Sequence, residues 1–246
     1  MRTDRPRTVL PGPRPAGSPA ASGLAALLLA DGRLPVGAYA QSAGLEAAVA
    51  AGLTARQLPA YLRSRLRTVT LTEAAGAVLA RRAAEQRSVD YGPLQVELAA
   101  RTAAAPLRGA SAAVGRGLHR LARRVAPEHP AVTALHTAAA AVPGLRPLRP
   151  VALGALATAL RVAETDLAYI VLYDDLQTVA AAALKLLPVD PLDMAAWVLE
   201  AEAEAASTVA RALAVTCPDE LPARTAPLVE RWALDHDRRE RRLFHA

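Results

Sequence analysis

The chain has 246 residues, 52% of them hydrophobic and only 3% aromatic, with a formal net charge of +6. That length suits one large domain or two small ones, and the apolar share supports a core that must be aliphatic, built of Ala, Leu and Val. A single cysteine, Cys217, excludes an internal disulfide, and no CxxC pair offers a zinc site.

Residues 1–22 are crowded with Arg, Pro and Gly and lack apolar periodicity, so they read as a disordered extension. They also lack the continuous apolar stretch of a secretory signal. From residue 23 to 246 the pattern is helix after helix, separated by Pro and Gly punctuation. "GLAALLLAD" predicts a short apolar helix, and "DGRLPVGAYAQ" a polar connection to a helix over 42–51 that Gly52 closes. Thr54 and Gln57 stand at capping-box spacing and open a helix to about Arg67. Thr72 begins another, to about Arg87. Asp90 can cap a helix over 91–104, and "LRGASAAVGRGLHRLARRV" follows as a long amphipathic segment. Leu118, Leu121 and Val125 lie on one of its faces, with Arg116, Arg120, Arg123 and Arg124 around the other. A helix over 131–141 gives way to the loop "PGLRPLRP" and then to "VALGALATAL". "ETDLAYIVLYDDLQTVAAAALKLLP" is the longest apolar helix. "DPLDMAAWVLEAEAEAASTVARALA" is expected as one more, with Pro191 near its first turn, and "VERWALDHDRRERRLFHA" ends the chain. No segment alternates as a strand would. The expectation is therefore an all-α fold: a single globular domain of about ten helices packed as a bundle.

No catalytic constellation emerges from these elements. His119 and His136 have no partner at i, i+3 or i+4. Asp174 and Asp175 are adjacent on a helix and point about 100° apart, so they cannot face each other, and at least one should meet solvent or an arginine. Ser42 in "AQSAG" lacks the first Gly and the strand-turn-helix setting of a nucleophile elbow. No phosphate loop, dinucleotide fingerprint or metal-ligand spacing is present, so no cofactor is expected. The apolar segments are punctuated by Arg, Glu or Asp, which reads as a soluble cytoplasmic protein with no membrane span. The basic residues are spread between the two ends and interleave with few aromatics, which speaks against nucleic acid. Arginine outnumbers lysine so heavily that Lys185 is the single lysine.

Four stretches carry a resemblance. "LPVGAYAQSAGLEAAVAAGL" resembles the N-terminal signature of the urease accessory protein UreF family, LPVGxFxxSxGLE followed by an apolar helix and Gly. "PLRGASAAVGRGLHRLA" resembles the family's Arg-x-x-Ser-x-x-x-Gly helix, and "LAYIVLYDDLQTVAAAALKLLPVD" its long helix ending in a Lys-Leu-x-Pro turn. "HDRRERRLFHA" is similar to a family ending of the type His-x-x-x-x-x-RLF. The chain departs from the pattern at Ala38 and Tyr39, in "VDPLDMAAW", and in lacking an Asn near Asp175 to Gln177, as a divergent member would.

The resemblance implies an all-helical homodimer with no catalytic activity of its own. It would bind the accessory protein UreD (also called UreH) and, with it, recruit the GTPase UreG for nickel delivery to the urease apoprotein. Glu46 and Lys185 are then candidate partner contacts. Arg238, Arg242, Leu243 and Phe244 of the tail are candidate contacts to the UreD-type protein. Gly37 and Gly44 serve backbone geometry, because glycine permits positive φ and close approach. The alternative open at this stage is a basic helical module that binds nucleic acid, or a general protein-interaction module.

Overall fold

A computed structural model describes residues 21–37, 40–224, 226–239 and 242–244. Residues 1–20, and with them nearly all of the expected extension, lie outside the described residues, as do the divergent Ala38 and Tyr39. The described chain is helical throughout, with no strand among its residues: α1 (Ala21–Ala30), α2 (Leu45–Ala50), α3 (Leu58–Arg67), α4 (Val69–Ala84), α5 (Gly92–Arg101), α6 (Ala105–Val125), α7 (Pro130–Thr133), α8 (Leu135–Ala141), α9 (Arg149–Ala159), α10 (Glu164–Leu186), α11 (Pro191–Glu200), α12 (Glu202–Ala214) and α13 (Pro227–Asp237). The all-α expectation holds.

Several ends are set by the residues the sequence pointed to. The Gln57 carboxamide oxygen accepts from the Thr54 N–H at 2.8 Å and closes the capping box ahead of α3. Asp90 accepts from the Gly92 N–H at the start of α5. Asp190, which the sequence did not single out, accepts likewise from the Leu192 N–H at the start of α11. Gly52, at φ +101°, ends α2, and the Leu53 N–H reaches back to the Ala48 carbonyl. Two expected single helices are each broken in two. The segment over 131–141 breaks at Ala134, and the segment over 190–214 breaks at Ala201. Neither break contains Gly or Pro. Both alanines are buried, so packing sets the bend where local propensity would continue the helix.

Helix α4 occupies the centre, with α9, α10, α12 and α3 packed around it, and α6 covers the outer side of α9. The α4–α9 seam is made of small residues. Ala74, Ala77 and Ala80 on one helix and Ala152, Ala155 and Gly154 on the other are all buried, and a Cβ on Gly154 would meet the Ala77 backbone. An alanine-rich chain thus gains its core by close helix approach more than by large side chains. Helix α10 is long and apolar enough to cross a membrane by length and composition alone, but more than half of that window is buried in the bundle.

The amphipathic helix α6 is held by two glycines. A Cβ on Gly115 would overlap the Pro147 carbonyl, and one on Gly117 would overlap the backbone of Val36. Ser111 adds a cap for α9 by accepting the Arg149 N–H at 3.0 Å. Arg108 donates to the Thr102 and Ala103 carbonyls beyond the end of α5. The Arg-x-x-Ser-x-x-x-Gly pattern is therefore a packing device. The obstacles are backbone atoms, so Gly115→Ala is expected to cost about 1–3 kcal/mol. Urea denaturation against the parent chain checks this, and an unchanged midpoint would refute the close approach.

Candidate partner-binding site

The polar connection before α2 ends in two consecutive left-handed residues, Ala43 at φ +52° and Gly44 at φ +79°. Glycine adopts this region readily, but alanine does so at a cost. The Ala43 conformation is held through its carbonyl, which accepts from the Tyr61 hydroxyl at 2.7 Å and from Arg65 Nη1 at 2.8 Å. This turn aims α2 inward. Ser42, almost fully buried, faces the Glu46 N–H at 3.4 Å and so serves the start of the helix.

Arg65 is itself locked. Its Nε and Nη2 donate to the two carboxylate oxygens of Asp175 at 2.9 and 2.6 Å, and Thr70 donates to the same carboxylate at 2.7 Å. The neighbouring Asp174 takes a different arginine, Arg149, at 2.7 Å, and Arg149 also reaches Glu73 at 2.6 Å. Burial alone would push the Asp175 carboxyl up. The Arg65 charge and the hydrogen bonds from Arg65 and Thr70 outweigh it and hold the group below its ordinary value. The adjacent carboxylates thus serve two separate arginine clamps. They fasten α10 to α3 through Arg65, to the start of α4 through Thr70 and Glu73, and to α9 through Arg149.

On this base α2 presents Glu46. Its Oε1 accepts the Leu243 N–H at 2.8 Å, and its Oε2 accepts the Phe244 N–H at 3.0 Å. One carboxylate therefore holds two successive backbone amides of the chain end, across 197 residues of sequence. The Phe244 side chain is buried, and Lys185 at the end of α10 places its Nζ 5.1 Å from the ring centroid. His236, on the last turn of α13 and also buried, donates from Nε2 to the Phe244 carbonyl at 3.2 Å. The same nitrogen lies 3.7 Å from Glu46. A carbonyl can only accept, so Nε2 carries the hydrogen. Helix α13 is pinned in turn by Trp232, whose ring lies 6.3 Å from that of Tyr61, and by Glu230, which accepts the Ala104 N–H at 2.6 Å.

The structure thus brings four of the six candidate residues together. Glu46, Lys185, Leu243 and Phe244 meet at one clasp, where Glu46 and Phe244 hold the tail and Leu243 stays 62% exposed. Arg242 is exposed, with Nη1 3.5 Å from Asp237. Arg238, exposed at the end of α13, has no ion-pair partner among the described residues and stands outside the clasp. Reasoning from sequence missed His236, Tyr61 and Arg65. His236 could have been found as the first residue of the His-x-x-x-x-x-RLF ending, but the other two carry no local signal. Among the described residues no group of three His, Cys, Asp or Glu side chains is placed to hold a metal ion. The clasp sets the exposed Lys185 ammonium and Leu243 side chain beside the Glu46 carboxylate, over the buried His236 imidazole, an arrangement suited to holding another chain.

The model of the UreF family matches residues 37–202 of this chain. The chain belongs to the UreF family of urease accessory proteins. It is 39% identical to a urease accessory protein UreF of Mycobacterium sp. (strain JLS) over 220 residues, covering 89% of this chain and 96% of that protein. It is 37% identical to the UreF of Mycolicibacterium vanbaalenii, over 91% of this chain and 99% of the relative. The UreF of Mycobacterium tuberculosis (strain ATCC 25177 / H37Ra) shares 34%, with 89% and 96% covered. Within the UreF family match lie Glu46 and Lys185, whereas α13 and the tail fall beyond it.

Proposed function

We propose that this UreF-family chain acts in urease maturation as a non-enzymatic scaffold. In this reading it binds a UreD- or UreH-type accessory protein, recruits a UreG-type GTPase, and so helps deliver nickel to the urease apoprotein in the cytoplasm. The observation that carries the reading is the clasp, in which Glu46 holds the Leu243 and Phe244 amides and leaves Leu243 and Arg242 facing outward. A tail held by its backbone offers its side chains to a partner at low entropic cost, as an exposed anchor residue requires. Arg238 and Lys185 flank it as charged contacts. Homodimer formation is supported by a separate apolar face. Leu24 and Leu27 of α1 are 80% and 70% exposed, and Tyr169 and Tyr173 on α10, against which α1 packs, are also exposed.

Co-expression with UreD- and UreG-type proteins is expected to yield one complex on size exclusion. Removing residues 240–246 is expected to abolish the UreD-type contact while circular dichroism stays helical. The cut leaves His236 in place, because that residue is buried within α13 and its loss would disturb the fold. Separate elution of all three proteins under every nucleotide condition would overturn the scaffold reading. Full binding by the truncated chain would overturn the tail assignment.

A further inference from the structure

The arginine face of α6 closes a groove with α8 and the loop before α9, far from the tail in sequence and sharing no residue with the clasp. The groove has a volume of about 820 Å³ and is bordered by Arg116, Arg120, Arg123, Arg124 and Arg146. No carboxylate lines it, and none of these five arginines has an ion-pair partner among the described residues. Six arginines elsewhere in the molecule are matched: Arg65, Arg67, Arg81, Arg82, Arg101 and Arg149 each meet a carboxylate. Like charges at i, i+4 spacing cost a few tenths of a kcal/mol per pair on a helix. Among the described residues no carboxylate offsets that repulsion; Arg120 donates to the Pro35 carbonyl at 3.4 Å, and Arg123 and Arg124 gain only from the carbonyl end of α6. The local field is positive enough to act on its own histidine. Burial lowers the His119 pKa, and the Arg123 and Arg146 charges lower it further.

The shape of the site selects the class of anion. Arg116, Arg120 and Arg124 recur at i, i+4 and i+8, so they form a row about 12 Å long at the rise of an α-helix. The floor between this row and α8 is apolar, with Leu121, Leu135, Ala139 and Pro147. A free phosphate has nothing to place on such a floor. The lining also contains no Phe, Tyr or Trp, the usual stacking platforms for a base, its rings being the imidazoles of His119 and His136, and α6 presents its flank, without the free amides of a helix N-terminus. Planar guanidinium groups in a row suit carboxylates bidentately. We propose that this groove is a docking site for an acidic amphipathic segment of a protein partner, with carboxylates at i, i+4 and i+8 on the arginine row and apolar side chains on the floor. The surface is independent of the tail and of the urease reading.

The test is fluorescence anisotropy with the full chain and a synthetic peptide of about 20 residues. The peptide carries Glu at four-residue spacing beside a Leu stripe. The controls are the same composition scrambled and a single-stranded oligonucleotide. The patterned peptide is expected to bind, and Arg120→Glu/Arg124→Glu to weaken it about tenfold or more. Arg63→Glu, on an exposed face elsewhere, is expected to leave it unchanged. Both arginines in the double variant are exposed, so its melting curve should match the parent. Ala139→Glu, which puts a carboxylate on the floor, is a second route to the same loss. Equal binding of the scrambled peptide, no binding of the patterned one, or insensitivity to both variants would overturn the proposal. So would tighter binding of the oligonucleotide with the same loss in the double variant, which would make the groove a nucleic-acid site.

Discussion

Arg65→Ala is expected to lower the melting temperature by roughly 6–20 °C. The side chain is nearly buried and so is that of Asp175, and removing one partner of a buried pair leaves an uncompensated charge at a cost of about 3–5 kcal/mol. In a chain of this size each kcal/mol shifts the midpoint by about 2–4 °C. The substitution also strips one of the two donors from the Ala43 carbonyl, at a residue whose positive φ needs holding. Thermal denaturation followed by circular dichroism reads the effect. Arg65→Met/Asp175→Leu should lose less than the two single variants together, because neither charge is then stranded. Acid separates the two chains further. Asp175 is depressed in the folded state, so its contribution is complete above the unfolded value of about 3.9 and is lost as pH falls through the lower folded value. The parent chain should therefore lose stability below about pH 4 by a margin that the double variant lacks. A melting temperature for Arg65→Ala within about 2 °C of the parent would show that the clamp contributes nothing.

Glu46→Ala is expected to release the tail without unfolding the bundle. Hydrogen bonds to a charged acceptor contribute about 1.5–3 kcal/mol each, and Glu46 holds two from adjacent amides that act as a unit. Taken once for the pair, that corresponds to a roughly tenfold to hundredfold rise in the open population. Trypsin cleavage after Arg239 and Arg242, read by mass spectrometry, should accelerate by a similar factor, provided reclosing is faster than cleavage. Glu46→Gln retains one carbonyl oxygen as acceptor and should fall between. Helix α13 stays attached through Trp232 and Glu230, so the melting temperature should change little. If the proposed role is right, affinity for a UreD-type partner drops with the clasp, since the tail must then be ordered at the moment of binding. Equal cleavage of Glu46→Ala and the parent chain would remove the clasp as an explanation of the tail's position.

The two variants act on different parts of one construction, and the difference bears on what could be read in advance. The Glu46 position, the lone Lys185 and the RLF ending were visible as residues, and the resemblance joined them to a family. Their meeting at one surface was not visible, because the contacts run between positions nearly two hundred residues apart. The Asp174–Asp175 pair was expected not to face itself, with at least one member meeting solvent or an arginine. That each takes its own arginine, Arg65 or Arg149, depends on two other helices, α3 and α9. The two histidines read as isolated, His119 and His136, line the same groove. No spacing rule joins residues on separate helices.

By itself the sequence determined the helical class, most helix positions and the caps at Thr54, Asp90 and Gly52. Those features rest on periodicity and on hydrogen bonds closed within a few residues, so the information is local. Only the tertiary structure decided where Ala134 and Ala201 break their helices, that Ala43 sits at positive φ, and that Glu46 holds the chain's end. In each case the deciding forces come from elements distant in sequence, through packing at the breaks and through hydrogen bonds at Ala43 and Glu46. No local propensity records them.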